Sequence, residues 1–160
     1  MASGLLVAQW GCKPAGQSGP TEVALPGGAD QVLAGITTNL AVDGRRKNYV
    51  VADSGFLYQE AQRLEFVRVK VTIFDAEGQP GATLAAKRAV YTIGNRVLDA
   101  RGDVVVVTPR GDSLRSARVL YDNNARQFRT DSVFSFRAKT GLVSGKGFTA
   151  DAGLRNVVPR

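Results

Sequence analysis

Apolar and polar residues alternate without a break from Val67 to Ile73. Val67, Val69, Val71 and Ile73 are aliphatic, while Arg68, Lys70 and Thr72 are polar. In an extended chain this sends four aliphatic side chains to one face and the charges to the other. The same period of two, punctuated by glycine, proline and aspartate, predicts strands at 34–41, 48–53, 55–60, 64–75, 83–91, 96–101, 103–109, 113–121, 127–131, 132–138 and 142–149. Asp75–Gly81, Gly102-Asp103, Pro109–Asp112 and Asp122–Asn124 supply turns: glycine permits positive φ and proline stops pairing. No long segment carries a 3.6-residue period, so the fold class is all-β.

One strand pattern occurs twice. Leu84-Ala85-Ala86-Lys87-Arg88-Ala89-Val90-Tyr91 returns thirty positions later as Leu114-Arg115-Ser116-Ala117-Arg118-Val119-Leu120-Tyr121. Each copy is followed by a polar turn and a second extended segment, which predicts stacked hairpins. Within each copy the alternation slips by one residue. A β-bulge near Arg88 and again near Arg118 would return leucine, the small residue, the next apolar residue and tyrosine to one face and curve the sheet. The alternative is a strand buried in part on both faces. Val104–Val107 has no alternation and predicts apolar surroundings on both sides, whereas Phe134 and Phe136 share a face. Such hairpins, in a chain too short for a wide barrel, make a curved open antiparallel sandwich with two exposed edges.

At 160 residues the chain divides into a segment 1–30, a β-domain 31–155 and a tail 156–160. The sequence holds no histidine and one cysteine, which excludes a zinc site and a histidine-based triad. Carboxylates are scattered and no nucleophile has a base, so neither an enzyme nor a cofactor is expected. A net charge of +7 and a pI near 10.0 fit an anionic partner or simply a solvated basic surface. Lysine and arginine are spread through the strands beside Asp and Glu, and no aromatic platform accompanies them, so nucleic acid is not the expected partner. Leu5–Ala8 is a short apolar run that ends near Cys12; it reads as a lipoprotein site acylated at Cys12, a shortened membrane anchor, or a segment with an idle thiol. Residues 12–30 are rich in Pro, Gly and Ser and read as a tether.

Two places could carry function. The last predicted strand, Leu142–Thr149, holds two glycines that suit either close backbone approach by a partner strand or an ordinary turn or bulge. The apolar interior could receive acyl chains while basic residues at its rim meet phosphates; alternatively it is a solid core.

The two repeat units, Gly102-Asp103-Val104-Val105-Val106, Ser132-Val133-Phe134 and the closing Ser144-Gly145-Lys146-Gly147-Phe148-Thr149-Ala150-Asp151 resemble, in order and spacing, the LptC family of lipopolysaccharide-export proteins. The resemblance covers residues 34–155. It implies an OstA-like β-jellyroll on the periplasmic side of the inner membrane, membrane-anchored and non-enzymatic. Such a protein receives lipopolysaccharide from an ABC transporter and passes it to an LptA-like bridge protein. It further implies acyl chains in the interior, where alternation places Val71, Ile73, Val106, Val119, Tyr121, Phe134 and Phe136. The bridge protein would meet a C-terminal edge at Leu142, Gly145, Gly147 and Phe148, with the family's C-terminal glycine falling on Gly147 or Gly145. The transporter permeases would meet an N-terminal edge at Asn48, Val50, Phe56 and Tyr58. Two other functions fit the residues: the bridge component itself, and an envelope scaffold or adhesin-like protein with no ligand.

Overall fold

The alternating segments form strands joined in chain order by short turns. They are β1 (Gln31–Val42), β2 (Arg45–Tyr58), β3 (Arg63–Phe74), β4 (Pro80–Thr92), β5 (Val97–Val107), β6 (Ser113–Asp122), β7 (Gln127–Ala138), β8 (Gly141–Asp151) and β9 (Val157–Pro159). The computed structural model describes residues 26–42 and 45–160; Cys12 and most of the expected tether lie outside them. Every strand pairs antiparallel with its neighbour in sequence, giving one open meander that begins at β1 and ends at β9.

Several segments expected as separate strands are halves of one. Residues 48–58 lie within β2, 97–107 form β5 and 127–138 form β7, while 59 and 60 belong to the turn after β2. The breaks read in the sequence are irregularities inside continuous strands: Gly102 and Asp103, at φ of 77° and 49°, interrupt β5 without ending it. Residues 157–159, assigned to the tail, form the edge strand β9 instead.

The bulges predicted from the repeat are present. The β4–β5 register shifts between Ala85 and Arg88, and the β6–β7 register between Ser116 and Leu120. Lys87 and Arg88 both face solvent, so Leu84, Ala86 and Ala89 all reach the interior, with Tyr91 packed against it. In the second copy Leu114, Val119 and Tyr121 are buried and Ser116 partly so. The repeat extends further than its first strand. Register shifts at Arg101/Val104 in β5 and Thr130/Val133 in β7 are again about thirty residues apart. Arg88 pairs with Arg101 and Arg101 with Arg118, so the irregularities lie side by side across the sheet. A bulge bends its strand, and bulges in a row crease the whole sheet.

Folding along that crease brings opposite strand ends together. Asn48 at the start of β2 donates from Nδ2 to Oδ1 of Asn123, beyond the end of β6, at 2.5 Å. Arg126, in the same turn, donates from Nη2 to the Phe74 carbonyl at the end of β3 (3.0 Å). Arg110, between β5 and β6, reaches the Gly153 carbonyl between β8 and β9 (3.0 Å). These groups lie several strands apart along the sheet, so only a folded sheet lets them touch. The result is a jellyroll with a crease on one side, a seam of strand ends on the other, and one apolar core from Ile36 to Leu154 between them.

Candidate functional site

The interior is built from alternate residues of β2–β8. Val71, Ile73, Val106, Val119, Tyr121 and Phe134 are at most 2 % exposed, and Phe136 packs against them. All seven expected interior positions are therefore brought into one cluster. Aromatic rings occupy its C-terminal part: Tyr121 and Phe128 have centroids 4.7 Å apart, and Phe134 meets Phe148 edge-on at 5.0 Å. Burial pushes the Tyr121 hydroxyl up to about 12, against a small lowering by the Arg126 charge. The side chains of this cluster are almost wholly shielded from solvent, so the interior is closed to water. Alternation also found only part of the core: Phe66, Leu98, Phe128 and Leu154 belong to it as well. Their thirty-residue counterparts, such as Leu98 and Phe128, carried a signal in the second strand of each repeat.

The C-terminal edge differs from its expected form. Phe148 is not an edge side chain; it is fully buried against Phe134, and its backbone is already paired with Pro159 of β9. Gly147 explains this. At φ of 77° it interrupts the alternation and turns Phe148 inward, onto the face that Gly145 presents to the Phe134 ring. A Cβ on Gly145 would stand 3.2 Å from Cε1 of that ring. β9 pairs with Phe148–Ala150 alone, and the Arg160 amide donates to the Gly147 carbonyl at 3.1 Å. Pro159 has no N–H to offer a further strand, which blunts this half of the edge.

Among the described residues, the other half, Gly141–Lys146, pairs only with β7. Leu142 is 60 % exposed and Val143 45 %, and Val143 sits opposite Phe136 on the inward-facing row. The interior thus runs out to the sheet margin at the place where the backbone still has unused donors and acceptors.

The N-terminal edge was expected on β2, and this is not where it lies. β2 is flanked by β1 and β3; Asn48 and Val50 are buried, and Phe56 and Tyr58 are half-buried on the outer surface. Among the described residues the edge is β1, which pairs there only with β2 and exposes Val32 and Leu33. Side-chain alternation cannot tell an edge strand from its neighbour, because the difference lies in backbone pairing.

The seam residues were not legible as a group. Asn123, Arg126 and Arg110 are ordinary turn residues in the sequence, and only the fold places them against β2, β3 and the β8–β9 turn. Among the described residues no cluster of His, Cys, Asp or Glu could hold a metal, and no helix is long and apolar enough to cross a membrane.

This architecture is similar to that of a solved structure, LptH from Pseudomonas aeruginosa, described as the LptA homologous periplasmic component of a conserved lipopolysaccharide transport device. The TM-score is 0.57 at 12 % identity, over 70 % of this chain and 80 % of that one, a likeness of fold. No curated protein matches in sequence. The family model for lipopolysaccharide assembly, LptC-related, matches residues 14–158, nearly the whole chain and all of β1 to β8. The chain belongs to the LptC family.

Proposed function

We propose that this protein moves lipopolysaccharide on the periplasmic side of the inner membrane, taking the glycolipid from an ABC transporter and passing it to an LptA-like jellyroll. The observation that carries this reading is the join between interior and free edge. Val143 and Phe136 extend the apolar interior to the unpaired half of β8, so a strand added there would continue the interior into the partner. Acyl chains could then pass between two jellyrolls without leaving apolar surroundings, and each buried methylene is worth about 0.8 kcal/mol. The transporter would meet the opposite margin, β1, and the membrane anchor would lie within residues 1–25. No chemistry is required of the chain, which acts as a conduit and not as an enzyme.

Photo-crosslinkers at Phe134 or Val106 should capture lipopolysaccharide when transporter and ATP are present. One at Val143 should capture the partner jellyroll, and one at Arg115, exposed on the outer face of β6, neither. Capture of lipid at surface positions alone would sink the conduit reading. A second reading has support in the two open edges and in the likeness to LptH: β8 of one copy could add to β1 of the next, making the chain its own bridge. Sedimentation over a range of concentrations separates the two, since a bridge former would lengthen into head-to-tail oligomers and a conduit with a distinct partner would stay monomeric.

A further inference from the structure

A closed interior raises the question of how a chain of methylenes gets in. We infer that the seam is the door: the cavity between the strand ends receives the ligand's acyl chains first, and the side-chain latches across it part to let them reach the core. This rests on the lipid-carrying reading above and adds to it the route and the residues that guard it.

The crease offers no route, because the chain runs through it unbroken in β4, β5, β6 and β7. The seam is different. Among the bonds that join its two lips are those of Asn48 to Asn123, Arg126 to the Phe74 carbonyl, and Arg110 to the Gly153 carbonyl. Between the lips there is already a cavity of about 560 Å³, with Ile73, Phe74, Pro80, Ala125 and Ala152 on its walls. Ile73 is itself a core residue, so this cavity abuts the interior and is separated from it by side chains alone. Charged side chains share its walls with the apolar ones, a lining that suits an amphipathic ligand carrying both acyl chains and phosphates.

The latches are built to give way. Asn48 is buried, and its Oδ1 has no hydrogen-bond partner. Opening would let water reach that oxygen, so the closed state carries a penalty that the open state relieves. Arg110, Arg126 and Arg155 line the cavity together with Asp75, Glu77 and Asp151. The charges balance, so the seam is no electrostatic trap. Two of these carboxylates are held in their own turns: Asp75 accepts from the Gln79 amide, and Asp151 from the amides of Gly153 and Arg155. The guanidinium groups of Arg110 and Arg126 bond to carbonyl oxygens across the gap, Arg110 while also paired with Asp112 in its own turn (Nη2 to Oδ2, 2.6 Å), and a phosphate oxygen of the ligand can replace the carbonyl bonds with stronger, charge-assisted ones.

The test locks the seam reversibly. Asn48→Cys and Asn123→Cys are combined with Cys12→Ser and joined by a short reducible bis-methanethiosulfonate cross-linker, and binding of fluorescently labelled lipid A is measured before and after reduction. The bridged protein should lose at least about tenfold in apparent affinity, since the binding-competent open state is removed, and reductant should restore it. Thermal melting of both forms checks that the fold survives the bridge. Arg126→Ala, with one latch gone, should bind faster than the parent. Equal binding by bridged and reduced protein would overturn the seam as the door while leaving the conduit reading in place. Failure of the parent protein to bind lipid A at all would sink that reading, and the door with it.

Discussion

The crease and the seam are the two long margins of the same folded sheet, and they are held by different means. At the crease the covalent chain passes through in every strand from β4 to β7, and the bend is set by extra residues in the ladder, backed by close-packed apolar side chains. At the seam the strand ends meet through side-chain hydrogen bonds from turn residues. The crease therefore sets the fold, and the seam sets how firmly the fold is shut. A carrier of a bulky apolar ligand needs this asymmetry: one margin that stays intact while the other opens.

The largest effect should come from the crease. Phe134 lies beside the β7 irregularity, is 2 % exposed and packs on Phe148. Phe134→Ala should destabilise the protein by about 3–5 kcal/mol, read as a lower urea midpoint with little change in slope. A loss under about 1 kcal/mol would mean that the crease is not the stable margin.

The seam should cost less. Asn123→Ala removes the partner of the buried Asn48 carboxamide among the described residues and also the bond from Asn123 Nδ2 to the Arg96 carbonyl. The expected loss is about 1–3 kcal/mol, because a buried donor is left unsatisfied. Adding Asn48→Leu should return part of it, since replacing both polar partners by apolar groups leaves nothing unpaired. If the double variant were no more stable than Asn123→Ala, the latch would not be a strained polar contact.

The difference in legibility between these margins follows from the same physics. The crease was readable because a bulge leaves a mark in the one-dimensional pattern: Leu84, Ala86, Ala89 and Tyr91 cannot share a face without an extra residue between the second and third. Its recurrence at Leu114–Tyr121 repeated the mark, and only the register shifts separate a bulge from a strand buried in part on both faces. The same logic placed Val71, Ile73, Val106, Val119 and Tyr121 inside. Phe148 escaped because the slip ahead of it falls on Gly147, which has no side chain to show which face it takes. The β1 edge and β9 escaped because edges are defined by backbone hydrogen bonds, and a three-residue strand has too few side chains to show a period. The seam left no trace at all: Asn123, Arg126 and Arg110 have the composition of any turn, and their partners are distant in sequence.

The smallest expected effect is on the outer surface beside the crease, where ion pairs and not packing cross the strands. Arg118 grips Asp99 with two bonds, Nε to Oδ1 at 2.9 Å and Nη2 to Oδ2 at 2.8 Å, and Arg101 adds its own, the shortest from Nη2 to Oδ2 at 2.6 Å. Burial pushes the Asp99 carboxyl up, but the hydrogen bonds and charges of Arg118 and Arg101 outweigh it and leave the carboxyl below its ordinary value of 3.8. A carboxylate whose folded value is depressed contributes stability that is present above the unfolded value and is lost as pH falls through the folded one. Urea unfolding carried down from pH 6 should therefore show wild type losing stability below about pH 3.8, and Asp99→Asn losing less over that window. Asp103, lowered by Lys87, keeps the slope from vanishing. At neutral pH the substitution should cost no more than about 1 kcal/mol, because both arginines remain well solvated. A cost as large as that of Phe134→Ala would show that charge on the outer face, not apolar packing beneath it, holds the sheet bent.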